Sequence, residues 1–147
     1  MARLIPLDLP VWRILPCGLP PATAARAPEG RFHHSGQIAA YASLSAEGAR
    51  VAIQRYLTDA VPRELVPMWL TAPQAVDERG NLAASVVWQD IRAGGKPSPT
   101  WAISDAARAT GAQAMLYSSR SRPDLSHFVV FDPACLRAVG PATPFIP

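Results

Sequence analysis

Short apolar runs separated by proline, glycine and serine make up this chain, and the period of each run distinguishes strands from helices. Val11 to Leu15 (VWRIL) predicts a short strand bounded by Pro10 and Pro16, and the CGLPPATAARAPEG that follows predicts a surface loop. Ile38 to Ser43 predicts a second strand, entered from the turn-like HHSG and leading to Ser45 as a helix N-cap. Ala46, Ala49, Ile53, Tyr56 and Leu57 recur at helical spacing, so a helix is expected from Ser45 to about Thr58, with Ala52 beside its buried stripe and Pro62 beyond its end.

Glu64 to Thr71 has the composition of a strand, and Pro67 would confine it to an edge or a bulge. A turn is expected over Asp77 to Asn81. Ala83 to Arg92 then carries a helical pattern through Val86, Val87 and Ile91 that stops at Gly94 and Gly95. Ser98-Pro99 is an N-cap and first-turn pair that starts a helix reaching Gly111. Ala112 to Tyr117 and His127 to Phe131 predict two more strands around the polar loop SSRSRPDLS, and the Pro-rich end is expected to be ordered only where it packs. Strands interspersed with three helices predict an α+β, or mixed α/β, fold without fixing its topology.

The 147 residues suit one domain, 1–147, able to bury roughly two-thirds of its unfolded surface without disulfides or metals. A content of 49% hydrophobic against 17% charged residues argues for a packed globule despite 16 prolines, which act as punctuation. The net charge of +3 is scattered and forms no basic run, so a small anionic ligand fits better than nucleic acid. Cys17 and Cys135 lack metal-ligand spacing, so no metal is expected, and they read as buried free thiols of a reducing, cytoplasmic setting. No stretch reaches the ~20 apolar residues of a membrane span, and prolines with Asp8 interrupt any signal-peptide core.

Five positions are candidates for chemistry. Arg31, after Gly30 and before Phe32, can offer a planar fork of donors to a phosphate; the ordinary alternative is a solvated loop arginine. Arg13 in the middle of VWRIL must face water, an edge or a ligand, because an unpaired buried charge is costly. Tyr41 can stack on a planar ring and bond through its hydroxyl, or simply pack in the core. Ser119, among Ser118, Arg120, Ser121 and Arg122, can bind an anion or serve a turn. His33, His34 and His127 read as loop or surface histidines, and GxSxG, GxxxxGK[ST], HExxH and GxGxxG are all absent.

Arg13, the Gly30-Arg31-aromatic loop, Tyr41, the Trp88 segment, Pro99-Thr100, Tyr117-Ser118-Ser119 and Phe131-Asp132-Pro133 together resemble the RES-domain toxins of bacterial toxin–antitoxin systems (RES/Xre type). The resemblance implies a fold like that of the diphtheria-toxin-type ADP-ribosyltransferases, with a cleft that takes NAD as substrate. It implies that Arg13 and Arg31 contact the NAD phosphates or ribose, that Tyr41 lines the nicotinamide side, and that Ser119 supports the site. The family glutamate would fall at Ala52, the fifth position, where it would stabilise positive charge as the glycosidic bond breaks. Ala52 cannot do this; either Glu47 serves instead, the site is naturally degenerate, or alanine replaces a glutamate so that a toxic protein can be produced.

The activity so implied is ADP-ribosyl transfer to a bacterial protein, with phosphoribosyl-pyrophosphate synthetase as the acceptor the resemblance suggests. NAD hydrolysis or phosphorolysis, and a catalytically inactive antitoxin-binding module, are the alternatives. The implied partner is an Xre-like antitoxin whose C-terminal segment would plug the cleft.

Overall fold

The structure is a computed structural model and describes residues 3–147. Its strands are β1 (Leu4–Pro16), β2 (Ala40–Ser43), β3 (Arg63–Asp77), β4 (Ala114–Ser118), β5 (Ser126–Val130), β6 (Leu136–Ala138) and β7 (Thr143–Phe145). Its helices are α1 (Ala46–Ile53), α2 (Trp88–Ala93) and α3 (Pro99–Ala109). The strands form one sheet in the order β1-β2-β5-β4-β3-β6, and because β1 also pairs with β3 the first five close into a small barrel. β7 pairs with β3 outside the ring. The fold is therefore the expected mixed α/β class. Among the described residues no helix is long and apolar enough to cross a membrane.

Two strands are far longer than their apolar runs suggest. β1 and β3 pair antiparallel from Leu4–Val76 to Pro16–Arg63, so Pro10 lies within a strand and does not bound one. Pro10, Pro16 and the Pro67 that faces Trp12 all fall in the same alternate set of pairs, which a missing N–H leaves intact if those groups point away from the β1–β3 ladder. β3 is not an edge strand: it meets β7 at residues 63–65, β6 at 68–70 and β4 at 75–77, and Pro67 sits in the gap between β7 and β6. The Pro-rich end of the chain thus packs as two strands on β3.

The helical expectations need two corrections. The stretch after Ser45 is α-helical only to Ile53 and continues as a 3₁₀ segment, Gln54–Asp59, which ends at Ala60 in the left-handed region, φ 58°. Tyr56, expected in the core, is exposed. The expected helix over 83–92 breaks at extended Val86, giving a 3₁₀ turn (Leu82–Ser85) capped by Asn81 and then α2. Ser98 caps α3 as expected, its Oγ accepting from the Thr100 N–H.

Alternation divides β2, β5 and β4 into two faces. Ala42, Phe128, Val130 and Leu116 enter the barrel core with Val11, Met68 and Leu70. Val129, Met115 and Tyr117 face the opposite way and pack with Phe32, Ala107 and Ala39. That second face carries the site.

Cys17 is exposed after β1 and Cys135 is half-buried, so the two thiols are free but not both interior.

Candidate functional site

A cleft of about 680 Å³ opens between the second face of the sheet, the Gly30 loop and α1. Arg13, Arg31, Tyr41, Ala52 and Ser119 all line it, although they come from β1, a loop, β2, α1 and the end of β4.

Arg13 stands in the inward row of β1 between Val11 and Leu15, and is only 4% exposed. Its Nε donates to the Tyr41 carbonyl at 2.8 Å and its Nη1 to the Pro21 carbonyl at 2.7 Å, so the guanidinium ties β1 to β2 and to the loop after β1. Its Nη2 makes no hydrogen bond among the described residues. Burial pushes its pKa down to about 10, which leaves the cation intact at neutral pH.

Arg31 is held in a similar way from the other side. Its Nη1 donates to the carbonyls of Ala84 and Val86 at 3.0 and 2.7 Å, which uses the break in the expected 83–92 helix. Nε and Nη2 remain without partners among the described residues, and burial lowers the pKa. Each of the two arginines thus spends part of its donor set on backbone and keeps part for something else. Such an arrangement is able to hold an anion against cations fixed in advance.

The loop bearing Arg31 is rigidly clamped. Trp101 Nε1 donates to the Gly30 carbonyl at 2.8 Å, the Thr100 hydroxyl donates to the Arg31 carbonyl, and Arg108 donates to the carbonyls of Phe32 and Ile38. Every clamp comes from α3, whose Pro99-Thr100 start is set by the Ser98 cap. Inside the loop, His33 Nε2 lies 2.9 Å from the Ala27 carbonyl and must carry the proton. Burial keeps this imidazole neutral by lowering its pKa, so Nδ1 accepts from the Tyr41 hydroxyl at 2.8 Å, and the same oxygen accepts from the Phe32 N–H at 3.0 Å. The Tyr41 hydroxyl therefore serves the loop, and its ring is what it offers the cleft. His33 is buried and structural, not a surface histidine as its sequence context suggests.

Gly30 is demanded by this network. A Cβ there would lie 2.2 Å from His33 Cε1 and 2.9 Å from Tyr41 Oη. Gly30→Ala is expected to lower stability by about 1–3 kcal/mol through overpacking, read as a drop in the urea midpoint; an unchanged midpoint would contradict the packing described.

Ser119 is buried at the turn after β4, its N–H donating to the Leu125 carbonyl and its Oγ accepting from the Arg122 N–H at 3.3 Å. Ala52 is exposed on α1 and its side chain adjoins the open cleft. Glu47 is turned elsewhere: its carboxylate pairs with Arg122 at 3.0 Å and does not line the cleft. The acidic residues that do line it, Glu29 and Asp59, are engaged by Arg92 and Arg63. No free carboxylate faces the cleft among the described residues, whereas Arg26 and Arg120 add cations at its walls. No group of three His, Cys, Asp or Glu side chains able to hold a metal occurs among them either.

Sequence reasoning missed Ser43 and His127. His127 is buried on β5, not at the surface, with Nδ1 2.8 Å from Ser43 Oγ. The Ser43–His127 register of β2 and β5 creates the pair, and no local pattern in either strand announces it.

The closed mixed α/β barrel thus carries a cleft with two pre-positioned arginines and aromatic walls, an arrangement able to take an anionic, ring-bearing ligand. Residues 10–146 match the RES domain family, and the chain belongs to that family. Among solved structures, "Crystal structure of the M.tuberculosis MbcT-MbcA toxin-antitoxin complex" contains a chain of similar fold, with a TM-score of 0.72 and 15% sequence identity over 97% of this chain and 86% of that one. No curated protein sequence matches.

Proposed function

We propose that this chain is the toxin of a toxin–antitoxin pair and that its cleft binds NAD, breaks the bond between nicotinamide and ribose, and passes ADP-ribose to a bacterial protein. The observation that carries the reading is the pair Arg13, buried, and Arg31, half-buried, two cations of a RES-family chain with unused donors on one cleft. Their spare N–H groups suit the two phosphates of a dinucleotide, and the ring of Tyr41 suits its nicotinamide side. Ser119 steadies the turn at the end of β4, and a carboxylate at position 52 would stabilise the positive charge that grows on the ribose as nicotinamide leaves.

The same reading gives the chain an Xre-like antitoxin as partner, whose C-terminal segment covers the cleft, and a cytoplasmic place of action. The toxin–antitoxin origin of the similar fold supports the partner class. A second reading, an inactive antitoxin-binding module, is favoured by one observation: the absence of any free carboxylate at the cleft among the described residues.

Transfer and hydrolysis share the broken bond and differ in the group that attacks the ribose. Incubating Ala52→Glu with NAD labelled in its adenylate half and a bacterial lysate is expected to label one or a few protein bands, phosphoribosyl-pyrophosphate synthetase among them. Loss of NAD with only free ADP-ribose or its phosphate released would overturn the transferase assignment in favour of hydrolysis or phosphorolysis.

A further inference from the structure

Ser43, His127 and Tyr117 stand in one row across β2, β5 and β4, fixed by the pairings Ser43–His127 and Tyr117–His127. All three are buried and all three line the cleft. Ser43 Oγ holds the imidazole through Nδ1 at 2.8 Å, and the Tyr117 ring lies 5.5 Å from it, centroid to centroid. α1 closes on Ser43 from behind, where only Gly48 leaves room: a Cβ at Gly48 would come within 3.1 Å of Ser43 Cβ.

Two polar atoms of this row have no hydrogen-bond partner among the described residues: Nε2 of His127 and the hydroxyl of Tyr117. Neither is a fully enclosed orphan, since no buried side-chain nitrogen or oxygen lacks a partner there. Both therefore open onto the cleft. Burial and the nearby Arg31 push the imidazole pKa down to about 4, and burial raises that of the Tyr117 phenol, so each is uncharged at neutral pH.

A neutral imidazole nitrogen beside a phenol hydroxyl offers one donor and one group able to accept. This is a poor site for phosphate, which Arg13 and Arg31 satisfy far better, and a good match for a primary carboxamide, which brings one acceptor oxygen and an NH₂ donor. The nicotinamide ring of NAD carries such a carboxamide and a formal positive charge, which an imidazolium would repel and a neutral imidazole beside the Tyr117 ring tolerates. We infer that the row is the carboxamide subsite of the cleft: His127 Nε2 and the Tyr117 hydroxyl bind the amide of the nicotinamide ring, and Ser43 is a positioning residue that fixes the orientation and tautomer of His127. The inference rests on the NAD reading of the cleft and adds the residues that select its leaving group.

Calorimetric titration of NAD and of ADP-ribose, which lacks nicotinamide, tests it on the chain with Ala52 unchanged. His127→Asn keeps an atom near Nδ1 for Ser43 but loses Nε2, whereas His127→Gln places an amide, whose NH₂ can donate and whose oxygen can accept, near the Nε2 position. Losing one buried hydrogen bond should weaken NAD roughly tenfold in His127→Asn, leave ADP-ribose within about twofold, and be largely rescued in His127→Gln. Tyr117→Phe, which preserves the ring, should show the same selective loss and provides the readout if position 127 proves intolerant. ADP-ribose and NAD weakened equally, or neither affected, would overturn the carboxamide subsite and leave the NAD cleft standing. Failure of the parent chain to bind ADP-ribose at all would overturn both.

Discussion

Expression of Ala52→Glu in bacteria is expected to arrest growth and lower cellular NAD, while the chain with Ala52 is tolerated. α1 sets residue 52 at the open edge of a cleft whose acidic neighbours, Glu29 and Asp59, are both occupied by arginines. A new carboxylate there would be the cleft's only uncommitted negative charge among the described residues. It would meet a developing cationic sugar in a partly dehydrated site, where a positioned stabiliser contributes about 10²–10³ in rate. Glu47→Ala is the control. Glu47 is bound to Arg122 away from the cleft, so its loss should leave the growth phenotype of either form unchanged. Normal growth and normal NAD with Ala52→Glu would count against residue 52 as the carboxylate position.

Arg31→Ala in the Ala52→Glu background is expected to reduce NAD turnover by roughly 10²-fold. A charge-assisted hydrogen bond contributes about 1.5–3 kcal/mol, and Arg31 has two unused nitrogens to offer a phosphate. The same change strips the Ala84 and Val86 carbonyls of their donor, so a stability measurement must accompany it. Arg31→Lys separates the roles: it keeps a charge but cannot hold backbone and phosphate at once through a planar fork, so it too should lose most activity. A lysine variant with full activity would show that Arg31 contributes only field, not geometry.

How much of this was legible in the sequence depends on whether the governing contact is local. The Ser98-Pro99 start of α3, the Ser45 cap and the strands over Ala114–Ser118 and Ser126–Val130 follow from capping and apolar runs, and they stand close to where the pattern puts them. The long reach of β1 and β3 does not follow, because their prolines look like boundaries until the partner strand shows which N–H groups are needed. Val86 and Val87 fit a helical period, but Val86 is extended and its carbonyl accepts from Arg31, far off in sequence. The candidate arginines and Tyr41 were recognisable from family-like motifs, whereas Ser43 and His127 become a pair only through cross-strand register. Tyr41 illustrates the limit in the other direction: its position beside the cleft was readable, but the commitment of its hydroxyl to His33 and Phe32 was not.

The most direct test of the central claim is nicotinamide release from NAD by the purified protein, followed by chromatography. The account predicts slow release by the chain with Ala52, release faster by about 10²–10³ in Ala52→Glu, and return to background when Arg31→Ala is added. Folded Ala52→Glu protein that releases no more nicotinamide than buffer would contradict it.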